Sequence, residues 1–207
     1  MRIKRLYEDK WLLILDKPSR LLSIPAPKKE KDLTSIINEE LKKKDITYRL
    51  HPCHRLDYST SGLIIYAKGK SIQKKMMRLF KEGKVKKTYL AFVQGKLTLP
   101  DAKIDFPLEG KQAITKYSLI EQRKNFAIVE VFPLTGRRNQ IRLHFKMIGH
   151  PIIGEDKFCF RKDFKIRFRR LCLHAKSLEF LHPITDKKIY VESELPSDLK
   201  RFLEKNL

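Results

Sequence analysis

Acid is scarce in this chain. Among 207 residues, 24 Asp and Glu stand against 46 Lys and Arg, a formal charge of +22. Self-repulsion on that scale works against a compact state unless a polyanion offsets it. Nucleic acid is therefore the first partner to consider and a membrane surface the second. Lys outnumbers Arg, so part of the excess is composition alone. Cysteine is scarcer still: Cys53, Cys159 and Cys172 are odd in number and irregular in spacing. That argues against a disulfide framework and fits a reducing compartment. Long apolar runs are missing too. The one at 11–15 closes at Asp16, too short for a signal peptide or a membrane span. No glycine loop of the phosphate-cradling kind occurs. What is present is a 42% hydrophobic share, enough for a real core without staples. A soluble, cytoplasmic protein with no membrane association is expected.

The pattern along the chain alternates strands and helices. Residues 11–15 read as a buried strand, followed by a proline-containing loop from 19 to 31. Helical spacing over 33–43, with Asp32 as N-cap, predicts a first helix. Residues 62–67 form a strand apolar on both faces, and 71–82 a helix ended by Gly83. Strands are expected at 84–94, 113–120, 127–132, 176–181 and 188–192. A helix is expected from 136 to about 148, and a last one from Ser197. Short connections between strands suit a mixed, mostly antiparallel central sheet flanked by helices and loops. The fold class is α+β, and residues 1–207 are expected to form one catalytic domain.

Two clusters stand out. HPCHRLDYSTSG at 51–62 packs two His, an Arg, an Asp and several hydroxyls between a loop and a buried strand, a usual place for catalytic groups. Asp57 is the only carboxylate between Asp45 and Glu82, so a site needing one acid here has one candidate, as nucleophile or base. The plainer alternative is a turn capped by Asp57 and Ser59, with the histidines satisfied by backbone. A zinc site from His51, Cys53 and His54, or from Cys172 and His174, lacks finger or ribbon spacing, so no metal is expected. In GRRNQIRLHFKMIG at 136–149, Arg138, Arg142 and Lys146 recur every four residues as one stripe. Arg137 and Arg138 lie at the helix start, where the dipole disfavours cations unless an anion offsets them. A solvated charged face is the plainer alternative there.

Read together, the clusters resemble a known family. HRLDYSTSGLIIYAK at 54–68 closely resembles the signature of RluA-type pseudouridine synthases. KTYLAFVQG at 87–95, TGRRNQIRLHF at 135–145, GHPIIGEDKF at 149–158 and LCLHAKSLEFLHP at 171–183 follow in that family's order, and WLLILDKPSRLL at 11–22 resembles its opening strand and turn. The likeness spans about residues 6–195. It implies the pseudouridine synthase fold and an isomerase that converts specific uridines of structured RNA, ribosomal or transfer, to pseudouridine. Asp57 matches the catalytic aspartate, Tyr89 the tyrosine that stacks on the base, and Arg142 the basic partner of the aspartate. Arg55 matches the arginine that enters the RNA where the nucleotide has left. His54, Lys87, Arg137 and Arg138 are further RNA-binding candidates, with Lys74, Lys75, Lys84, Lys86 and the basic aromatic cluster at 161–170 as backbone contacts. The reaction breaks N1–C1′ and joins C5 to C1′, so no cofactor is expected. The departures are Ser19-Arg20 in place of a glycine turn, Asn139 before QIR where His is common, and Glu155 where Asp is usual. A monomer without a separate N-terminal RNA-binding domain or obligate protein partner is expected. A catalytically silent RNA-binding or ribosome-assembly factor on the same fold is the competing reading.

Overall fold

The computed structural model describes residues 3–26, 31–159 and 166–206, which carry ten strands and four helices. They divide into two compact units, where the sequence reads as one: residues 1–86 with 177–193, and residues 87–176 with 194–207.

The first unit contains β1 (Lys4–Glu8), β2 (Leu12–Lys17), α1 (Leu33–Lys42), β3 (Leu50–Pro52), β4 (Ser61–Lys68) and α2 (Lys70–Lys81). Strand β4 is its axis. It pairs antiparallel with β2 along 62–67 and with β3 at 66–68, while β1 adds to β2. Alternation sends Leu63, Ile65 and Ala67, with Leu12 and Ile14, into one core, and Ile64 and Tyr66, with Leu13 and Leu15, into another. Each face needs a cover. Helix α2 supplies Met76 to the first, and α1 supplies Leu33, Ile37 and Leu41 to the second. Full burial of such side chains stabilises by about 1.5–3 kcal/mol each. Helix α1 starts as expected: the Asp32 side chain accepts from the Ser35 amide.

The second unit is built on an antiparallel meander. Strand β5 (Lys86–Gln94) pairs with β8 (Phe126–Pro133), β8 with β7 (Thr115–Gln122), and β7 with β6 (Asp101–Ile104). Helices α3 (Gln140–Met147) and α4 (Ser197–Lys205) bring Ile141, Phe145, Leu199 and Phe202 to its core. Phe202 stacks on Phe92 and meets Phe126 and Phe168. The chain returns to the first unit within β9 (Leu173–Leu181), which pairs antiparallel with β10 (Lys188–Glu192).

The expected α+β class and antiparallel pairing are what the structure has. Strands β1 and β6 lie outside the sequence-based expectation: each is short, charged and at a sheet edge, and the alternation in β6 covers only four residues. Strand β3 lies inside the segment read as loop, and β9 begins at Leu173 rather than 176. Helix α3 starts at Gln140, not at Gly136, because Asn139 is left-handed (φ 54°) and breaks the run. Asn tolerates that conformation better than most residues, which gives this departure from the family pattern a local reason.

Candidate active site

Asp57 sits half-buried on the segment between β3 and β4, in a turn closed by the Thr60 amide donating to the Asp57 carbonyl. The chain after β2 braces this turn from both sides. Ser23 Oγ donates to the Leu56 carbonyl and accepts from the Leu56 amide (2.8 and 3.1 Å). The Arg20 amide donates to Tyr58 O, and Ser19 Oγ to Ser59 O at 2.7 Å. Lys17, fully buried, donates its ammonium to the carbonyls of Pro18, Leu21 and, at 3.4 Å, Tyr58. Buried polar groups with fully specified bonds rigidify what they touch. Arg20 reaches its bond with φ at +61°, a conformation glycine would adopt without strain. The Ser19-Arg20 departure therefore keeps the backbone path of a glycine turn.

His54 faces inward. Its Nε2 accepts from the Ile65 amide at 3.0 Å, and its ring lies 4.7 Å from Phe80. Accepting at Nε2 makes it a neutral imidazole built into the frame. The backbone-satisfied alternative thus holds for this histidine. Cys53 is buried, and desolvation pushes its thiol up to about 12, so it is inert at neutral pH. Arg55, next along, is exposed.

In the second unit, the TGRRNQIRLHF segment makes two separate sets of bonds. Thr135 Oγ1 and the Arg137 amide donate to Gln140 Oε1, and Gln140 Nε2 donates to Ile114 O and Thr115 Oγ1. His144, buried, bonds Thr115 Oγ1 through Nδ1 and Phe106 O through Nε2. A carbonyl can only accept, so Nε2 carries the proton and the ring is neutral; burial pulls its pKa down. Thr135, Gln140 and His144 therefore tie α3 to β7.

Arg142 does something else. With only 6% of its side chain exposed, it forks onto Glu155, Nε to Oε2 at 2.7 Å and Nη2 to Oε1 at 2.6 Å, and reaches Asn139 Oδ1 through Nη1 at 3.3 Å. Phe158 lies under the guanidinium at 4.9 Å. Burial alone would push the Glu155 carboxyl up. The Arg142 fork and the amides of Lys157 and Phe158 outweigh it and hold the group below its ordinary range. The position of Glu155 is fixed by Gly154, whose φ is +79° and where a Cβ would lie 1.8 Å from Arg170 O. Glu155 is the residue that sequence reasoning missed. It is legible there only as a departure from Asp, and its bearing is on Arg142 rather than on loop shape alone. The fork also corrects the reading of one solvated stripe: Arg138 and Lys146 are exposed while Arg142 is buried.

Tyr89 is half-buried on β5, opposite Val131. Lys87, two residues earlier and so on the same face, is partly buried without an ion-pair partner among the described residues, and burial pulls its ammonium down from the usual value. Arg137 is exposed and its Nε donates to Gln112 O. Of the basic aromatic segment at 157–170, Phe158 packs on Arg142 and Phe168 on Phe202, while residues 160–165 lie outside the described ones.

The chain falls in a recognised class of RNA-modifying isomerases. The family described as RNA pseudouridylate synthase matches residues 11–147, and the chain belongs to it. It is 37% identical over 199 residues to the dual-specificity RNA pseudouridine synthase RluA of Haemophilus influenzae, covering 87% of each chain. With the protein of the same name from Escherichia coli K12 it shares 34% over 197 residues, 86% of each. Among solved structures, human RNA pseudouridylate synthase domain containing 4 superposes with a TM-score of 0.84 at 23% identity, covering 97% of this chain and 92% of that one, which shows the shared fold. The chain is an RNA pseudouridine synthase, an isomerase.

Proposed function

We propose that Asp57 is the carboxylate that drives this isomerisation, that Arg142 is its basic partner, and that Tyr89 stacks on the extruded uracil. The bracing of the Asp57 turn carries the reading: backbone carbonyls of Leu56, Tyr58 and Ser59 are held by four residues from one neighbouring segment. A reacting carboxylate needs its position fixed to a fraction of an ångström, and a surface turn without such a task needs no such frame. The target base must leave its stack, at a cost of a few kcal/mol. Tyr89 offsets part of it by stacking, and Arg55 by filling the vacated space. Asp57 then attacks C1′ or removes a sugar proton, N1–C1′ breaks, the uracil turns, and C5 joins C1′. Lys87, Arg137 and Arg138 hold phosphates, and His54 contributes through the loop it anchors.

The substrates in this reading are ribosomal and transfer RNA. The relatives named for dual specificity support action on more than one RNA. No helix of the described residues is long and apolar enough to cross a membrane, and a cytoplasmic monomer is the form in which the enzyme would meet these RNAs. The test is modification mapping of total RNA from a deletion strain, complemented with wild type, Asp57→Asn or Asp57→Ala. Pseudouridines should vanish at defined sites, return with wild type, and stay absent with either variant, while purified variants keep binding RNA. Full restoration by a well-folded Asp57→Ala protein would overturn the assignment. A deletion that removes no pseudouridine would favour an RNA-binding or assembly factor.

A further inference from the structure

Helix α2 carries a charge pattern that the fold does not explain. Lys70, Lys74, Met77, Arg78 and Lys81 are spaced i, i+4, i+7, i+8 and i+11, so they share one face, and all five are exposed. The opposite face holds Met76 in the core, with Ile72, Leu79 and Phe80 packed against it. Like charges four residues apart repel, as Lys70 with Lys74 and Lys74 with Arg78 must do. Lys70 sits in the first turn, where no acid is present and Gly69 provides no side-chain cap, so the helix dipole is opposed as well. One acid answers this face: Glu82 pairs with Arg78 and with Lys84. Lys70, Lys74, Lys75 and Lys81 make no ion pair among the described residues.

General lysine richness does not account for this, because other elements of the same chain handle their charge differently. Helix α4 has Asp198 in its first turn and Lys205 in its last, matching the dipole, and Asp198 also pairs with Arg170. Outside α2, Lys68, Lys86 and Lys188 of the same unit each meet a glutamate. Among the described helices, α2 has the longest exposed row of cations, with a lysine in its first turn and no acid there.

We propose that this face of α2 is a docking rail for the phosphate backbone of RNA that flanks the target nucleotide. The cations run along about 16 Å of helix at the α-helical rise, with steps of about 6 Å between fourth neighbours, a spacing suited to successive phosphates of one strand. The helix is also tied to the segment that leads to the reactive turn: Gln73 Nε2 donates to Pro52 O at 2.7 Å, and Phe80 packs on His54. An anionic membrane fits the face less well. A surface-bound amphipathic helix turns its large apolar residues outward, whereas here Ile72, Met76, Leu79 and Phe80 turn inward and Met77 is the one large apolar side chain on the cationic face. The proposal rests on RNA being the substrate and adds where its flanks are held.

The experiment compares wild type with Lys70→Gln/Lys74→Gln/Lys81→Gln, leaving Arg78 with Glu82, and with the same three positions changed to Arg. The probes are an unmodified full-length transfer RNA transcript that wild type modifies and the isolated hairpin carrying the same uridine. The Gln variant should bind the full transcript about tenfold more weakly, and its log K against log salt should be shallower by about 2–3 units, close to one per lost contact. Binding and turnover of the hairpin should change less than twofold, and the Arg variant should match wild type. Unchanged affinity and salt slope on the full transcript would overturn the proposal. So would an equal loss on hairpin and transcript, or a defect confined to phosphatidylglycerol vesicles. The enzymatic reading fails separately, if wild type binds the transcript with full salt dependence yet forms no pseudouridine.

Discussion

Helices α2 and α3 look alike in the sequence and use their cations in opposite ways. Both show basic residues at fourfold spacing beside an apolar face. In α3 Arg142 is buried, forked onto Glu155 and laid over Phe158. In α2 the cations stay in water, and Lys70, Lys74 and Lys81 have no acid beside them. Charge periodicity therefore says that a stripe exists, and only the surrounding acids say what it is for. A buried guanidinium locked by a carboxylate is held in one place. An exposed, uncompensated row is an adaptable surface whose cost is recovered when a polyanion arrives.

The sharpest way to break this contrast is Arg142→Met. It leaves the Glu155 carboxylate buried without its main counter-charge, a loss of about 3–5 kcal/mol for a pair of this kind. Denaturation should show that fall, and turnover should drop far more than RNA affinity. Adding Glu155→Gln separates the two effects. The double variant should regain most of the stability and none of the activity. If activity returned with stability, Arg142 would be a structural residue and the comparison would collapse.

The same fork sets the acid limit. Glu155 has a folded pKa below its ordinary 4.5, so its contribution is complete above that value and is lost as pH falls through the folded one. His144 acts higher on the scale. Burial lowers its pKa from 6.5, so the unfolded chain binds a proton that the folded one refuses. Stability is then complete above about 6.5 and declines as pH falls below it. His144→Leu should remove that limb in a pH series of melts. It should also cost about 1–3 kcal/mol for Phe106 O, which loses its His144 partner, while Thr115 Oγ1 keeps its bond from Gln140 Nε2.

These residues also mark how far the sequence could be read. The double-faced apolar run of β4, the Asp32 cap and the family motifs announce themselves through local pattern, and so the α+β class and the family were within reach. The strand β1 and the early stop at Asn139 were not. One is an edge element whose charges mask it; the other depends on a single backbone dihedral. His54 read as an RNA-binding candidate, yet its Nε2 bonds the Ile65 amide, because a motif does not state whether a side chain bonds backbone or ligand. Glu155 was hidden for the converse reason. Its partner lies 13 residues away, on a helix whose stripe looked solvated.

The smallest effect is also the one that separates the two helices by sign. Lys74→Glu places an acid four residues before Arg78 and four after Lys70, replacing two repulsions with attractions on an exposed face. Thermal melts should rise by about a degree, since surface pairs contribute little. RNA affinity should fall, and by more than for Lys74→Gln, because a negative charge now faces the phosphates. No substitution of Arg142 should behave this way: there stability and turnover fall together. A Lys74→Glu protein that melted lower than wild type would mean that α2 keeps its lysines for the fold, and the contrast between a locked cation and an available row would lose its basis.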